Sequence, residues 1–270
     1  MKYFSFLFMF LILSCNKSKI SETKKELPQQ NIALVVDASL SMISKDFEPD
    51  RITVLKDLLK NAVTYKKENQ AFSIVVFAGN SYLICPITKD QKKLIAAIDR
   101  INFSPYNLKP GTNIPHALLN GLLSLKNEKS NKSIFIFSDG ITYPINAYPL
   151  NIPIEEANNN EIKISSVIIT PKDFTISPKA MDENGDLVFK KEKAKPIDTK
   201  ASREISSKTG GISSIFYTNK ELNNFNFQQL LSKVQAFKFK KYLYKTDRDK
   251  LSKIYKEIEM TNDSLAVIFK

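Results

Sequence analysis

The chain has 270 residues and a formal net charge of +12, and residues 31–270 are numerous enough to bury one sizeable core. The positive charge suggests nucleic-acid binding, but the basic residues, for example Lys190, Lys191 and Lys193, are scattered and have little aromatic interleaving. A solvated surface is therefore the better interpretation, and nucleic acid is not expected as a partner.

The first residues are typical of an export signal. Lys2 precedes an apolar run over residues 3–13, which is shorter than the roughly 20 residues of a membrane-spanning helix. Cys15 at its end predicts a bacterial lipoprotein signal, with residues 1–14 as signal peptide, an acylated Cys15, and residues 15–30 as a lipidated tether. The alternative is an ordinary signal peptide with an incidental cysteine. We expect a lipid-anchored envelope protein, either periplasmic or surface-exposed.

A polar sequence follows the first predicted strand. The aliphatic run 32–36 is typical of a buried parallel strand, and it ends at Asp37, with Ser39 and Ser41 beyond it. Residues past the carboxyl ends of such strands line the crevice in which open α/β sheets bind ligands. We therefore expect these three side chains at the binding edge of a sheet.

Two later segments bring further oxygen atoms to the same edge. Thr112 stands at a predicted helix start, and Asp139 follows another apolar run, residues 133–137. Together with Asp37 and the two serines, they form a hard, all-oxygen set that favours Mg²⁺ or Mn²⁺ over zinc or copper. The alternative is that each residue only caps a turn or helix. Three such segments, each at a strand-to-helix junction, favour the metal site.

The remaining chain alternates apolar runs with helical patterns, which predicts an α/β fold with a doubly wound, mainly parallel sheet between helices. Further strands are predicted at 72–77, 162–169 and 212–217, and helices at 52–65, 91–101, 114–125, 199–208 and 222–237. We expect a hairpin-like excursion around residues 183–185. Residues 247–259 predict an extra helix, which makes residues 31–240 the domain and residues 241–270 a C-terminal helical extension.

Cys85 is the only thiol left if Cys15 is acylated, so no intramolecular disulfide is then possible. It lies in an apolar run, which predicts a small buried hydrophobe rather than a reactive site.

The metal segments resemble those of the von Willebrand factor A domains, which carry a metal-ion-dependent adhesion site (MIDAS). Over about residues 30 to 240 the chain also resembles the bacterial Bat proteins, a subgroup named for aerotolerance, at Asp46, Pro49, Asp50, Arg51, Phe77-Ala78-Gly79, Thr88-Lys89-Asp90 and Thr209-Gly210-Gly211. The resemblance implies hydroxyl ligands from Ser39, Ser41 and Thr112, while Asp37 and Asp139 act directly or through water. Leu40 departs from the family, in which many members carry glycine.

The leading functional prediction is a protein-binding module. A divalent cation with mostly neutral ligands retains positive charge, so a partner's Asp or Glu carboxylate can complete its coordination. The resemblance to Bat proteins suggests envelope stress tolerance or assembly of a complex. We expect no enzymatic activity. One alternative is a metal-dependent hydrolase that uses the same crevice, with the single histidine, His116, as a base. The other is a structural lipoprotein in which the ion only holds loops together. His116 itself is predicted to be a surface or capping residue.

Overall fold

The computed structural model describes residues 27–102, 108–140, 148–194, 197, 199–236, 242 and 244–268. The predicted signal peptide, Cys15 and most of the tether lie outside the described residues.

Within the described residues, eight strands form two sheets. They are β1 (Gln30–Asp37), β2 (Gln70–Phe77), β3 (Ser81–Thr88), β4 (Asn131–Ser138), β5 (Lys163–Ile169), β6 (Phe174–Met181), β7 (Leu187–Lys193) and β8 (Ser213–Phe216). The main sheet has the order β3-β2-β1-β4-β5-β8, and all of its neighbours are parallel except β2 and β3. The order reverses between β1 and β4, which is the position where such sheets bind ligands. The predicted fold class is confirmed.

Eight helices accompany the described strands. They are α1 (Arg51–Thr64), α2 (Gln91–Asp99), α3 (Ile114–Ser124), α4 (Asn151–Asn159), α5 (Lys200–Thr209), α6 (Asn219–Asn223), α7 (Phe227–Ala236) and α8 (Arg248–Ile268). The single helix predicted at 222–237 was wrong, because α6 ends at Asn223 and the side chain of Asn226 accepts a hydrogen bond from the N–H of Gln229 in the next helix. Such asparagines favour helix ends over helix interiors.

Alternate residues of β1 face two separate hydrophobic clusters. Ile32, Leu34 and Val36 pack under α1, α2, α6 and α7, whereas Ala33 and Val35 pack under α3, α4, α5 and α8. Successive side chains of a strand point to opposite faces of the sheet, so a strand covered on both sides is apolar throughout. The helices therefore cover both faces of the sheet and leave the strand ends for the loops.

Cys85 belongs to the first cluster and is buried, as predicted. Burial raises the pKa of its thiol, which keeps the thiol protonated and unreactive.

The C-terminal helix α8 packs against α3 and the outer strand β3. Leu251, Ile254 and Ile258 are buried in the second cluster. The side chain of Asn262 exchanges two 3.0 Å hydrogen bonds with the amide of Asn120, and its Oδ1 also accepts the backbone N–H of Leu83 at 2.8 Å. The helix is thus attached through both apolar and polar contacts. None of the described helices is long and apolar enough to cross a membrane.

Candidate metal site at the carboxyl edge of the sheet

The first predicted segment forms a compact turn at the end of β1. Asp37 is fully buried, and its Oδ1 accepts the backbone N–H of Ser39 at 2.9 Å. A short 3-10 helix (Leu40–Ile43) follows and holds the Ser39 and Ser41 hydroxyl oxygens 3.1 Å apart. The three side chains that the sequence analysis grouped are therefore neighbours, and Leu40 does not prevent the turn.

The second carboxylate lies beside the first. Asp139 directly follows β4, which pairs with β1, and the hydroxyl of Ser138 donates to Asp37 Oδ2 at 2.6 Å. Burial and the negative charge of Asp139 raise the pKa of Asp37 to about 7, although hydrogen bonds from Ser138 and Ser39 oppose this shift. Two buried carboxylates that repel each other are an arrangement that a bound cation would stabilise.

Thr112 is buried at the same edge of the sheet, on the side of β2. Its loop is held by two main-chain hydrogen bonds, from Gly79 N–H to Lys109 O at 2.8 Å and from Asn113 N–H to Ala78 O at 2.7 Å. A Cβ at residue 79 would overlap the carbonyl oxygen of Pro110, so this close approach requires glycine. The backbone N–H of Ala38 donates to Phe77 O, which joins the first metal segment to the same group of loops.

Arg51 is the residue of this site whose role the sequence analysis missed. Its Nε and Nη2 bind the two oxygens of Asp46 at 2.7 and 2.6 Å, and its Nη1 binds Asp139 Oδ2 at 3.0 Å. The side chain is only 5% exposed. Burial acts to lower the pKa of Arg51, but Asp46 and Asp139 outweigh burial and raise it, so the guanidinium stays charged. Arg51 therefore shares its one positive charge between Asp46 and a predicted metal ligand, Asp139.

The hairpin formed by β6 and β7 is anchored to this network. The Thr175 hydroxyl donates to Asp46 Oδ2 at 2.7 Å, and the backbone N–H of Lys45 donates to Ile176 O at 2.8 Å. The Lys45 ammonium also lies 4.3 Å from the centre of the Phe189 ring. The hairpin expected around residues 183–185 is present, and its base stands beside the predicted metal segments.

A cleft of about 900 Å³ opens between the base of the hairpin and the carboxyl ends of β5 and β8. Its walls include Asp46, Thr170, Lys172, Phe174, Arg203 and Tyr217. The cleft adjoins the predicted metal segments through Asp46.

His116 is buried, and its prediction as a surface or capping residue was wrong. Residues 114–122 of α3 are all buried, because this helix lies between the sheet and α8. Nδ1 of His116 lies 2.7 Å from the hydroxyl oxygen of Ser81, and the ring stacks on Tyr148 with 6.2 Å between ring centres. Burial lowers the pKa of the imidazole, so it is neutral at pH 7.

The donor set at the carboxyl edge fits a hard cation. Among the described residues, no group of three or more His, Cys, Asp and Glu side chains could hold a metal ion. An ion at this edge would therefore combine carboxylates with hydroxyl, main-chain or water oxygens, which suits Mg²⁺ or Mn²⁺. The assignment of Asp37, Ser39, Ser41, Thr112 and Asp139 as its ligands stays a prediction.

Comparison with known proteins shows what this part of the chain is similar to. Residues 32–141 match the family model of the von Willebrand factor type A domain. The matched residues run from β1 to just beyond Asp139 and include all five predicted ligands, and the resemblance drawn from the motifs is confirmed.

Proteins that are similar to this chain come from bacteria and from the mussel byssus. An uncharacterised protein of Borreliella burgdorferi is 26% identical over 244 residues, which cover 88% of this chain and 67% of that protein. The fold is similar to that of BatB, a conserved hypothetical protein from Bacteroides thetaiotaomicron, with 21% identity, a TM-score of 0.60, and coverage of 77% of this chain and 98% of that chain.

Two further solved structures share the fold. An aerotolerance-related membrane protein from Bacteroides fragilis has 19% identity and a TM-score of 0.61, with coverage of 77% of this chain and 98% of that chain. Proximal thread matrix protein 1 from the mussel byssus, solved with a zinc-occupied MIDAS motif, has 16% identity and a TM-score of 0.52 and covers 76% of this chain and 44% of that chain.

The environment of His116 can be measured directly, because the chain has one histidine. We expect its imidazole NMR signals to titrate below pH 6.5 in the folded protein, since burial is the largest influence on its pKa, and Glu257, which acts to raise it, is weaker. The unfolded chain should titrate near 6.5. Protonation should then lower the free energy of unfolding as the pH falls below that value. A folded-state pKa at or above 6.5 would mean that the ring is hydrated or ion-paired.

We expect Mg²⁺ or Mn²⁺ to stabilise the domain. An ion that binds only the folded state adds about 2.7 kcal/mol to the free energy of unfolding at a hundredfold excess over its dissociation constant. For a domain of this size the melting temperature should rise by roughly 5 to 10 °C. Asp37→Asn keeps the shape of the side chain but removes its charge, and it should abolish the rise. Asp57→Asn, at an exposed position of α1, is the matched control and should behave like the wild type. An unchanged response in Asp37→Asn would place the ion elsewhere.

Proposed function

We propose that this protein is a metal-ion-dependent protein-binding module of the bacterial cell envelope. A divalent cation, Mg²⁺ or Mn²⁺, would be held by the hydroxyls of Ser39, Ser41 and Thr112 and by Asp37 and Asp139. When bound, the ion supplies a positive centre with a coordination position for an Asp or Glu carboxylate of a protein partner. The observation that carries the proposal is the pair of buried carboxylates, with two adjacent serine hydroxyls, at the reversal of strand order.

The neutral hydroxyl ligands and the pairing of Asp139 with Arg51 support an anionic partner. Nη1 of Arg51 lies 3.0 Å from Asp139 Oδ2, so this carboxylate shares its negative charge with a guanidinium that Asp46 also binds. The serine and threonine ligands carry no charge. A divalent ion whose proposed ligands are mostly neutral oxygens attracts a carboxylate to an open coordination position.

Partner binding should depend on both the ion and its ligands. Immobilised protein incubated with detergent-solubilised envelopes should capture its partner in Mg²⁺ and lose it in EDTA. Thr112→Ala and Asp139→Asn should lose the partner even in Mg²⁺. Asn at position 139 can still accept a hydrogen bond from Arg51, so the fold should survive.

Two exposed positions on α1 provide matched controls for that experiment. Thr64→Ala and Asp57→Asn remove the same chemical groups away from the site and should capture the partner like the wild type. Once the partner is identified, replacing its contacting acid by the corresponding amide should abolish capture. A folded Asp139→Asn variant that captures the same partner in EDTA would show that recognition uses another surface. A bound ion would then only hold the loops together.

The envelope location rests on Cys15 and the apolar run before it, and the similarity to an aerotolerance-related membrane protein supports it. We expect cleavage before Cys15 and acylation of that residue, because the run is too short to anchor the chain as a helix. Metabolic labelling with palmitate in a bacterial host should label the wild-type protein but not the Cys15→Ser variant. Cys85→Ser, the matched control at the buried cysteine, should be labelled like the wild type. Equal labelling of Cys15→Ser would overturn the lipoprotein assignment.

A further inference from the structure

The fold gathers lysines at the edge of the sheet opposite the predicted metal site. The parallel strands β2, β4 and β5 all begin at that edge, and residues 66–69, 126–132 and 160–163 lie at or just before the strand starts. We call these three segments the basic face. They contain six lysines, Lys66, Lys67, Lys126, Lys129, Lys132 and Lys163, but only three acidic residues, Glu68, Glu128 and Glu161.

The carboxyl edge has no such excess of positive charge. Its loops at residues 38–50, 78–80, 108–113, 139–140 and 170–173 contain five acidic residues and three lysines, and Arg51 at the start of α1 adds one positive charge. Residues 103–107 and 141–147, which lie outside the described residues, carry no charged side chain in the sequence. The parallel topology therefore brings lysines that are scattered along the sequence together at one edge of the sheet.

The chain also enters the domain at the basic face. Gln30 begins β1 at this edge, its N–H donates to Asn69 O at 2.8 Å, and the side chain of Asn69 donates to Pro28 O at 2.8 Å. Leu27 and Pro28 line the same shallow cleft as Lys129, Lys132 and Lys163. The preceding residues 16–26 contain four lysines and two glutamates and add further positive charge.

We propose that the basic face binds an anionic lipid surface and turns the predicted metal site away from the membrane. Lysines near such a surface are attracted to its phosphate-bearing headgroups over about one Debye length, roughly 8 Å at physiological salt. The eight residues of β1 separate the two edges by about 25 Å. The orientation in the cell rests on the proposed lipid anchor, whereas the attraction to lipid depends on neither acylation nor a metal ion.

The position of the tether favours a membrane over another polyanion. An acyl group on Cys15 would hold the domain within the length of residues 16–29, and these residues join the domain at its basic face. The face nearest the bilayer is then one with an excess of lysines, and a partner can reach the carboxyl edge from the aqueous side.

The test uses the non-acylated chain from Asn16, which retains both core clusters because their residues lie between Ile32 and Ile258. It is sedimented, in EDTA, with vesicles of phosphatidylcholine alone or with added phosphatidylglycerol. We expect binding only to the phosphatidylglycerol vesicles and loss of binding at high salt. Lys67→Gln, Lys129→Gln and Lys132→Gln should each weaken binding about fivefold, and the triple variant about a hundredfold.

The matched control neutralises three exposed lysines near the opposite edge, in a Lys172→Gln, Lys190→Gln and Lys193→Gln triple variant. It has the same net charge as the first triple variant and should bind almost like the wild type. Thermal unfolding should be unchanged in both. Equal weakening by the two sets, no binding to phosphatidylglycerol, or equal binding to both kinds of vesicle would each overturn the proposal. Because EDTA is present throughout, failure here leaves metal-dependent partner binding untouched.

Discussion

The buried bridge from Asp46 through Arg51 to Asp139 is the interaction on which the carboxyl edge depends. A charge removed from water is costly unless it is paired, and loss of one partner of a buried pair destabilises a protein by about 3–5 kcal/mol. Here the guanidinium has two carboxylate partners, and all three side chains are at most 5% exposed. Loss of Arg51 would leave two buried carboxylates without their positive partner, so the bridge holds together the loops to which these three residues belong.

The bridge joins parts of the chain that are far apart in sequence. Arg51 begins α1, Asp139 follows β4 after 88 residues, and Thr175 of the hairpin reaches Asp46 across 129 residues. Displacement of the hairpin would therefore disturb Asp46 and, through Arg51, the carboxylate that lies beside Asp37. This physical connection gives the hairpin a route to influence the predicted metal site, although it contributes none of the predicted ligands.

The strands and carboxylates of the site were predictable because their signals are local. An apolar run that stops at Asp37 or Asp139 marks the end of a buried strand without any knowledge of its neighbours. The partners of Arg51 and His116 were not predictable, because tertiary contacts alone bring Asp139 and Ser81 to them. Strand β3 was missed for a related reason: it is the outer strand, its pairing with β2 shifts register twice, and its apolar residues do not alternate cleanly.

The contact between Asn262 and β3 has a consequence for solubility. β3 is the last strand on its side of the sheet, and outer strands expose backbone groups that can pair with other chains and start aggregation. The side chain of Asn262 occupies the N–H of Leu83, and α8 lies along the same strand. The C-terminal helix thus covers an edge that would otherwise be open to a strand from another molecule, and it lowers the tendency of the domain to aggregate through β3.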